Sequence, residues 1–303
     1  MSTLNRYQPS FSLLRGLIAV TIMITNTLIC FLPLVLVSAL RVLPMRSWQT
    51  LCTRLACSIA TFWISVNSWA LSITEADHWN VDVPENLSPD KWYFVTANHQ
   101  SWADILIAQR ILNRKVPMLK FFLKRELFWV PVLGICWWAL DFPFMRRYSR
   151  EYLAKHPHKQ GKDLAETRKA CEKFQYTPTA VFNFMEGTRF TEQKYQLKQS
   201  QFQHLLPPKA GGAGFVLGAM GNTLDTLLDI SIHYPHGRPT FWDFLCGKAG
   251  AVEVSVRSVS IPDHVRGGDY QNDARYKGDV QEWVNNVWHE KDQLLTTLKT
   301  SKD

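Results

Sequence analysis

Two long apolar stretches dominate the first quarter of the chain, and shorter alternating ones fill the rest. Leu17 to Leu40 runs 24 residues without a charge, bracketed by Arg15 and Arg41. As a helix it is long enough to cross a hydrocarbon core of about 30 Å. Asn26 and Pro33 interrupt it, so a kinked or shallowly inserted helix stays open beside a full crossing. Leu55 to Ile73 is also uncharged but rich in Ser, Thr and Trp, which suits an interfacial helix paired with the first. Residues 1–75 are therefore expected to form an N-terminal membrane-associated segment, one transmembrane helix plus one interfacial helix.

Glu75 to Pro89, with two prolines and several acids, reads as the start of a soluble domain covering residues 76–303. There the pattern predicts buried strands over Trp92–Ala97, Thr179–Phe184 and Leu227–Tyr234, and a half-buried one over Ala251–Val256. In the last of these, Val252, Val254 and Val256 alternate with Glu253, Ser255 and Arg257. Helices are predicted from Ile105, with Ser101 as cap, over Asp163–Phe174, over the small-residue run Ala210–Gly221, and at the C-terminus. That final helix sets Val280, Trp283, Val284, Val287 and Trp288 on one face. Leu127–Met145, broken by Pro131, Gly134 and Pro143, reads as a buried or membrane-facing helix followed by a short strand. Glu192–Gln203 reads as a polar loop. Strands interleaved with helices predict an α/β domain, a mixed β-sheet flanked by helices.

Composition narrows the function. Hydrophobic residues make up 46% and charged residues 20%, which excludes disorder. The net charge of +8 favours an anionic partner. Twelve Trp and 17 Phe direct that choice to a membrane rather than nucleic acid, because amphipathic aromatics settle at headgroup level. The six Cys show no CxxC and no zinc spacing with His, and read as reduced structural thiols.

The candidate chemistry centres on Asn98-His99-Gln100-Ser101-Trp102-Ala103-Asp104. A histidine at a strand exit and an aspartate in the next helical turn can meet across the bend, although five residues apart on one helix they would diverge. The carboxylate can then hold one ring nitrogen while the other takes a proton from a hydroxyl. On the heptapeptide alone, a core histidine bonded to a neighbouring loop fits equally well. Phe184-Met185-Glu186-Gly187-Thr188-Arg189-Phe190 closes another buried strand. Gly187 permits a tight turn, and Arg189 offers a planar fork for a phosphate; a structural Glu186–Arg189 pair is the alternative. Arg146 and Arg147 follow an apolar strand, and Lys209 precedes a helix start; each alone is more often a solvated charge. No G-x-S-x-G elbow, P-loop or complete dinucleotide fingerprint occurs.

Assembled, these residues resemble the glycerophospholipid acyltransferase family, the lysophosphatidate acyltransferases, over about residues 90–260. Its N-H-x-x-x-x-D block is matched by Asn98, His99 and Asp104. Its second block is matched by Phe144, Met145 and Arg147, and its F-P-E-G-T-R-S block by Phe184 and Glu186 through Arg189. The fourth, proline-flanked block is replaced by Asp229-Ile230-Ser231-Ile232-His233-Tyr234-Pro235, which resembles the subgroup containing lysocardiolipin-type acyltransferases and, more closely, a group of bacterial relatives. The resemblance implies that His99 deprotonates the free hydroxyl of a lysophospholipid while Asp104 orients the imidazole. That hydroxyl attacks the thioester of acyl-CoA or acyl-carrier protein with no covalent enzyme intermediate. Arg147, Glu186, Gly187, Thr188, Arg189 and Lys209 are implied to bind the acceptor phosphate, with no metal and no cofactor. Location at the inner, cytoplasmic membrane with the domain facing the cytoplasm is also implied. A lipid-binding or membrane-organising protein that keeps the fold but has little activity is the competing expectation.

Overall fold

In the computed structural model the described residues are 9–74, 79–145, 171, 174 and 177–300. The N-terminal stretches form a hairpin of α1 (Pro9–Leu40) and α2 (Arg46–Thr74). Both are long and apolar enough to cross a membrane by length and composition. α2 starts nine residues before the expected Leu55, because Arg46 and Arg54 sit on its exposed side and do not interrupt it. Asn26 gains partners across the hairpin. Its Nδ2 donates to Asn67 Oδ1 and to the Trp63 carbonyl, each at 2.9 Å, and Trp63 Nε1 donates to Thr27 Oγ1 at 2.9 Å. Polar groups satisfied between helices cost little in an apolar medium, and they fix register. The outer face of α1 carries Phe11, Leu14, Ile29, Leu32 and Leu36, all exposed.

α1 lies along the globular domain rather than projecting from it. A Cβ on Gly16 would come within 2.6 Å of Cys246 Sγ and 3.3 Å of Trp242, so the helix backbone rests on the short helix α7 (Phe241–Leu245) and the cysteine that follows it. At the other end Arg41 pairs with Asp141. The two contacts are about 37 Å apart at 1.5 Å per residue.

The domain is built on a six-stranded mixed sheet. Its strands are β1 (Asn80–Asp82), β2 (Tyr93–Ala97), β3 (Leu119–Phe121), β6 (Ala180–Phe182), β7 (Thr226–His233) and β8 (Glu253–Ser260), in the order β1-β8-β7-β2-β6-β3. All neighbours are parallel except β7 and β8. Central β2 is buried on both faces, and its pleat splits the core. Tyr93, Val95 and Ala97 join the layer of α3 (Ala103–Leu112) and the hairpin, whereas Phe94 joins the opposite layer. That second layer holds α6 (Ala210–Met220) and α8 (Ala274–Thr300), with Val216, Leu217, Val284 and Trp288 fully buried.

Leu127–Met145 holds the expected helix and short strand, α4 (Leu133–Ala139) and β5 (Phe144–Met145), with a 3-10 turn (Arg125–Trp129) before them and β5 paired with β4 (Leu123–Lys124). Pro131 separates turn from helix. Glu192–Leu197 is not a loop but a short helix, α5, because Thr191 caps it by accepting from the Lys194 amide. β8 begins at Glu253 and runs on to Ser260; Glu253 itself is buried where β1 and β7 flank it, so the alternation starts only at Val254. Ser101 does cap α3 as expected: its Oγ accepts from the Ala103 amide at 3.2 Å, while its hydroxyl donates to the Pro239 carbonyl at 2.8 Å. Of Asp163–Phe174, only Cys171 and Phe174 belong to the described residues, and both are buried.

Candidate active site

Three parallel strands, β2, β6 and β7, end at the same edge of the sheet, and the loops after them carry the candidate chemistry. Ligands of open α/β sheets bind at such carboxyl edges. The segment after β2 holds His99, the one after β6 holds Glu186 to Arg189, and the one after β7 holds Tyr234. Asn98 locks two of these exits together. Its Nδ2 donates to the Ile232 carbonyl at 2.9 Å and its Oδ1 accepts from the Ile232 amide at 2.8 Å.

His99 and Asp104 meet as their spacing predicts, with Nδ1 of His99 2.9 Å from Oδ2 of Asp104. The Asp104 side chain is fully buried, whereas His99 keeps 12% exposure. The same Oδ2 accepts from the amides of Gln100 at 2.6 Å and Ser101 at 2.8 Å. An aspartate in the first turn thus holds the loop before the helix as well as the ring. Oδ1 accepts from the Tyr234 hydroxyl at 2.6 Å. Phe184 stacks on the imidazole, centroids 4.0 Å apart. Nε2 of His99 makes no hydrogen bond among the described residues. With Nδ1–H donating to the carboxylate, Nε2 is left as an acceptor.

Glu186 lies beneath this pair rather than beside a ligand. Its side chain is fully buried, Oε1 accepts from the His99 amide at 2.8 Å, and Oε2 accepts from the Leu206 amide at 3.3 Å. Burial pushes its carboxyl up to about 8, against a smaller opposing pull from those two amides. Glu186 therefore neither pairs with Arg189 nor presents a surface to a substrate, correcting both expectations for it. Below it, fully buried Lys291 reaches down from α8 to Asp229 at 2.6 Å and the Ile230 carbonyl at 2.5 Å. Arg257 holds the other oxygen of Asp229 at 2.7 Å.

The turn after β6 faces outward. Gly187 has φ +67°, a left-handed conformation that favours glycine. A Cβ there would meet the Lys209 side chain at 3.2 Å, so Lys209 lies across the turn. Arg189 is exposed, its guanidinium 4.8 Å from the centroid of the Trp102 ring, which belongs to the His99 loop. The Phe190 amide donates to the His99 carbonyl at 2.7 Å, tying the two loops directly. Lys194, which the sequence pattern did not single out, donates from Nζ to Thr188 Oγ1 at 2.8 Å and to the Arg189 carbonyl at 2.9 Å. Lys198 stands close by. Burial lowers its pKa first, and the charges of Lys209 and Lys194 act in the same direction. Thr188, Arg189 and Lys209 are thus brought to one turn beside His99, whereas Arg147 lies outside the described residues. Among the described residues no group of three or more His, Cys, Asp or Glu side chains is placed to hold a metal ion.

A family model described as Acyltransferase matches residues 78–258, more than half of the chain. The chain belongs to the Acyltransferase family. Its curated relatives within that family are distant. One is the 1-acyl-sn-glycerol-3-phosphate acyltransferase delta of Homo sapiens, 23% identical over 212 residues, covering 65% of this chain and 50% of that protein. Another, from Arabidopsis thaliana, carries the name "Probable 1-acyl-sn-glycerol-3-phosphate acyltransferase 5" and is 25% identical over 66% of this chain and 51% of its own length. The chain spans about half the length of the curated relatives it matches. The crystal structure of the 1-acyl-sn-glycerophosphate acyltransferase PlsC from Thermotoga maritima superposes with a TM-score of 0.57 at 17% identity, covering 94% of this chain and 96% of that one. The Acyltransferase fold, hairpin included, is therefore shared at low sequence identity.

Proposed function

We propose that the protein transfers a fatty acyl group from acyl-CoA or acyl-carrier protein to the free hydroxyl of lysophosphatidate, giving phosphatidate. The observation that carries this reading is the His99 imidazole, held at Nδ1 by buried Asp104 with Nε2 left as an acceptor. In this reading Nε2 removes the acceptor hydroxyl proton as the oxygen attacks the thioester carbonyl. The tetrahedral intermediate then collapses, the carbon–sulfur bond breaks, and the thiolate leaves and takes the proton from the imidazolium. Asp104 stabilises that imidazolium while it exists. Arg189, Lys209, Thr188 and the glycine turn at Gly187 hold the acceptor phosphate, with Arg147 as a further cation. Glu186 shapes the site from beneath, through the His99 amide.

Substrates of this class sit in a bilayer, and the apolar outer face of α1 suits that solvent. Because the domain contacts α1 from Gly16 to Arg41, a perpendicular crossing would carry the domain's flank into hydrocarbon. A hairpin lying in one leaflet with the domain beside it is the reading these contacts support, at the cytoplasmic face of the inner membrane.

The test is purified His99→Ala with labelled acyl-CoA and a lysophospholipid panel. Loss of general-base assistance is expected to cost about 10² to 10⁴ in rate, with folding and membrane association retained. Near-normal turnover would refute the mechanism. Lipid binding without turnover in the parent protein would instead favour a lipid-binding role.

A further inference from the structure

We propose that Tyr234 is a positioning residue, its buried hydroxyl clamping the second oxygen of Asp104 and so fixing the carboxylate that holds His99. The proposal rests on the acyl-transfer reading above. The division of labour at Asp104 carries it. Oδ2 takes three donors, from His99 Nδ1 and the amides of Gln100 and Ser101. Among the described residues, Oδ1 takes one, the Tyr234 hydroxyl at 2.6 Å. Asp104 is fully buried and Tyr234 is 3% exposed, so no solvent replaces that donor. A buried carboxylate oxygen without a donor is costly, and its plane is free to rotate away from the ring.

The clamp is rigid because its anchor is rigid. Ile232, two residues before Tyr234, is bonded through both backbone groups to Asn98, the neighbour of His99. Burial raises the tyrosine well above its ordinary pKa, with Asp104 adding to the effect, so it stays a donor.

The hydroxyl also tunes the ring. By drawing charge from Asp104 it weakens the carboxylate's pull on an imidazolium, and removing it strengthens that pull. Other ionisable groups around this loop are Glu186, bonded to the His99 amide, Arg189 over Trp102, and Arg238, which donates to Gln100 Oε1 at 3.2 Å. Tyr234→Phe alters none of them.

The experiment compares wild type and Tyr234→Phe in kinetics, thermal melts and NMR titration of the imidazoles, the His99 signal being assigned by its loss in His99→Gln. Expected are a roughly 10-fold or greater fall in kcat, nearly unchanged KM for lysophosphatidate and acyl-CoA, and upward shifts of both the acidic limb and the His99 titration. A ring-fluorinated tyrosine at 234, a stronger donor of nearly the same shape, is expected to shift both downward and covers the case in which the phenylalanine variant misfolds. Unchanged kinetics and an unmoved His99 titration in a folded variant overturn the proposal, even if the variant melts earlier. An inactive wild type would overturn the acyl-transfer reading instead. The titration would then still show whether Tyr234 acts on His99.

Discussion

Glu186→Gln separates a carboxyl that supports the site from beneath from one that binds substrate. The unfolded carboxyl ionises near 4.5 and the folded one near 8. Between these values the native protein keeps a proton that the unfolded chain has lost, so stability falls as pH rises. The contribution is fully present below about pH 4.5 and is lost through pH 8, at about 1.4 kcal/mol per pH unit. From pH 5 to pH 8 that comes to roughly 3–4 kcal/mol. Glutamine cannot titrate, so the variant lacks this slope. It also has a single carbonyl oxygen for two amides, those of His99 and Leu206. One amide is left facing an NH₂ group, at a cost of about 1–3 kcal/mol that does not depend on pH. At pH 5 the variant is therefore the less stable protein, and by pH 8 the difference closes or reverses. Chemical denaturation of both proteins in the same detergent at three pH values reads this difference, and all other titrations cancel. Parallel pH dependences for the two proteins would refute the reasoning, because Glu186 would then ionise at an ordinary value.

Arg189→Lys keeps the charge and loses the fork. It is expected to weaken apparent affinity for lysophosphatidate about 10- to 150-fold with little change for the acyl donor, and steady-state kinetics with each substrate varied in turn decide it. Gly187→Ala places a Cβ at φ +67° and is expected to cost about 1–2 kcal/mol, visible as a lower melting temperature; an unchanged melt would mean that the turn adopts another conformation. Membranes washed at 1 M salt, where the Debye length falls to about 3 Å, are expected to retain the protein. Its release would show that residues 17–40 are not inserted.

Local chemistry was legible in the sequence where its partners are local. His99 and Asp104 sit five residues apart across one bend, so strand, turn and helix start are enough to bring them together. The runs at β2, α6 and β7 and the apolar face of α8 were readable because burial imposes a period on consecutive residues. The Thr191 cap of α5 was also present as a local signal, and polarity around it masked a short helix. What is absent from any local window is what lies opposite. Asp104 and Tyr234 are 130 residues apart, and Glu186 and His99 are 87. Only the parallel ordering of β2, β6 and β7 brings them to one edge. Glu186 looks like a ligand-facing charge in sequence because a carboxylate is assumed to need solvent or a cation. In the fold it meets two backbone amides at the end of a buried strand, and its proton makes burial tolerable. Lys291 makes the same point from α8: on a helix whose other lysines face water, contact with Asp229 and the Ile230 carbonyl turns it into the core. Residue pattern determined the long helices, the central strands and the His–Asp pair, because these depend on near neighbours along the chain. The identity of each buried polar partner was decided by sheet order, because a hydrogen bond depends on distance in space.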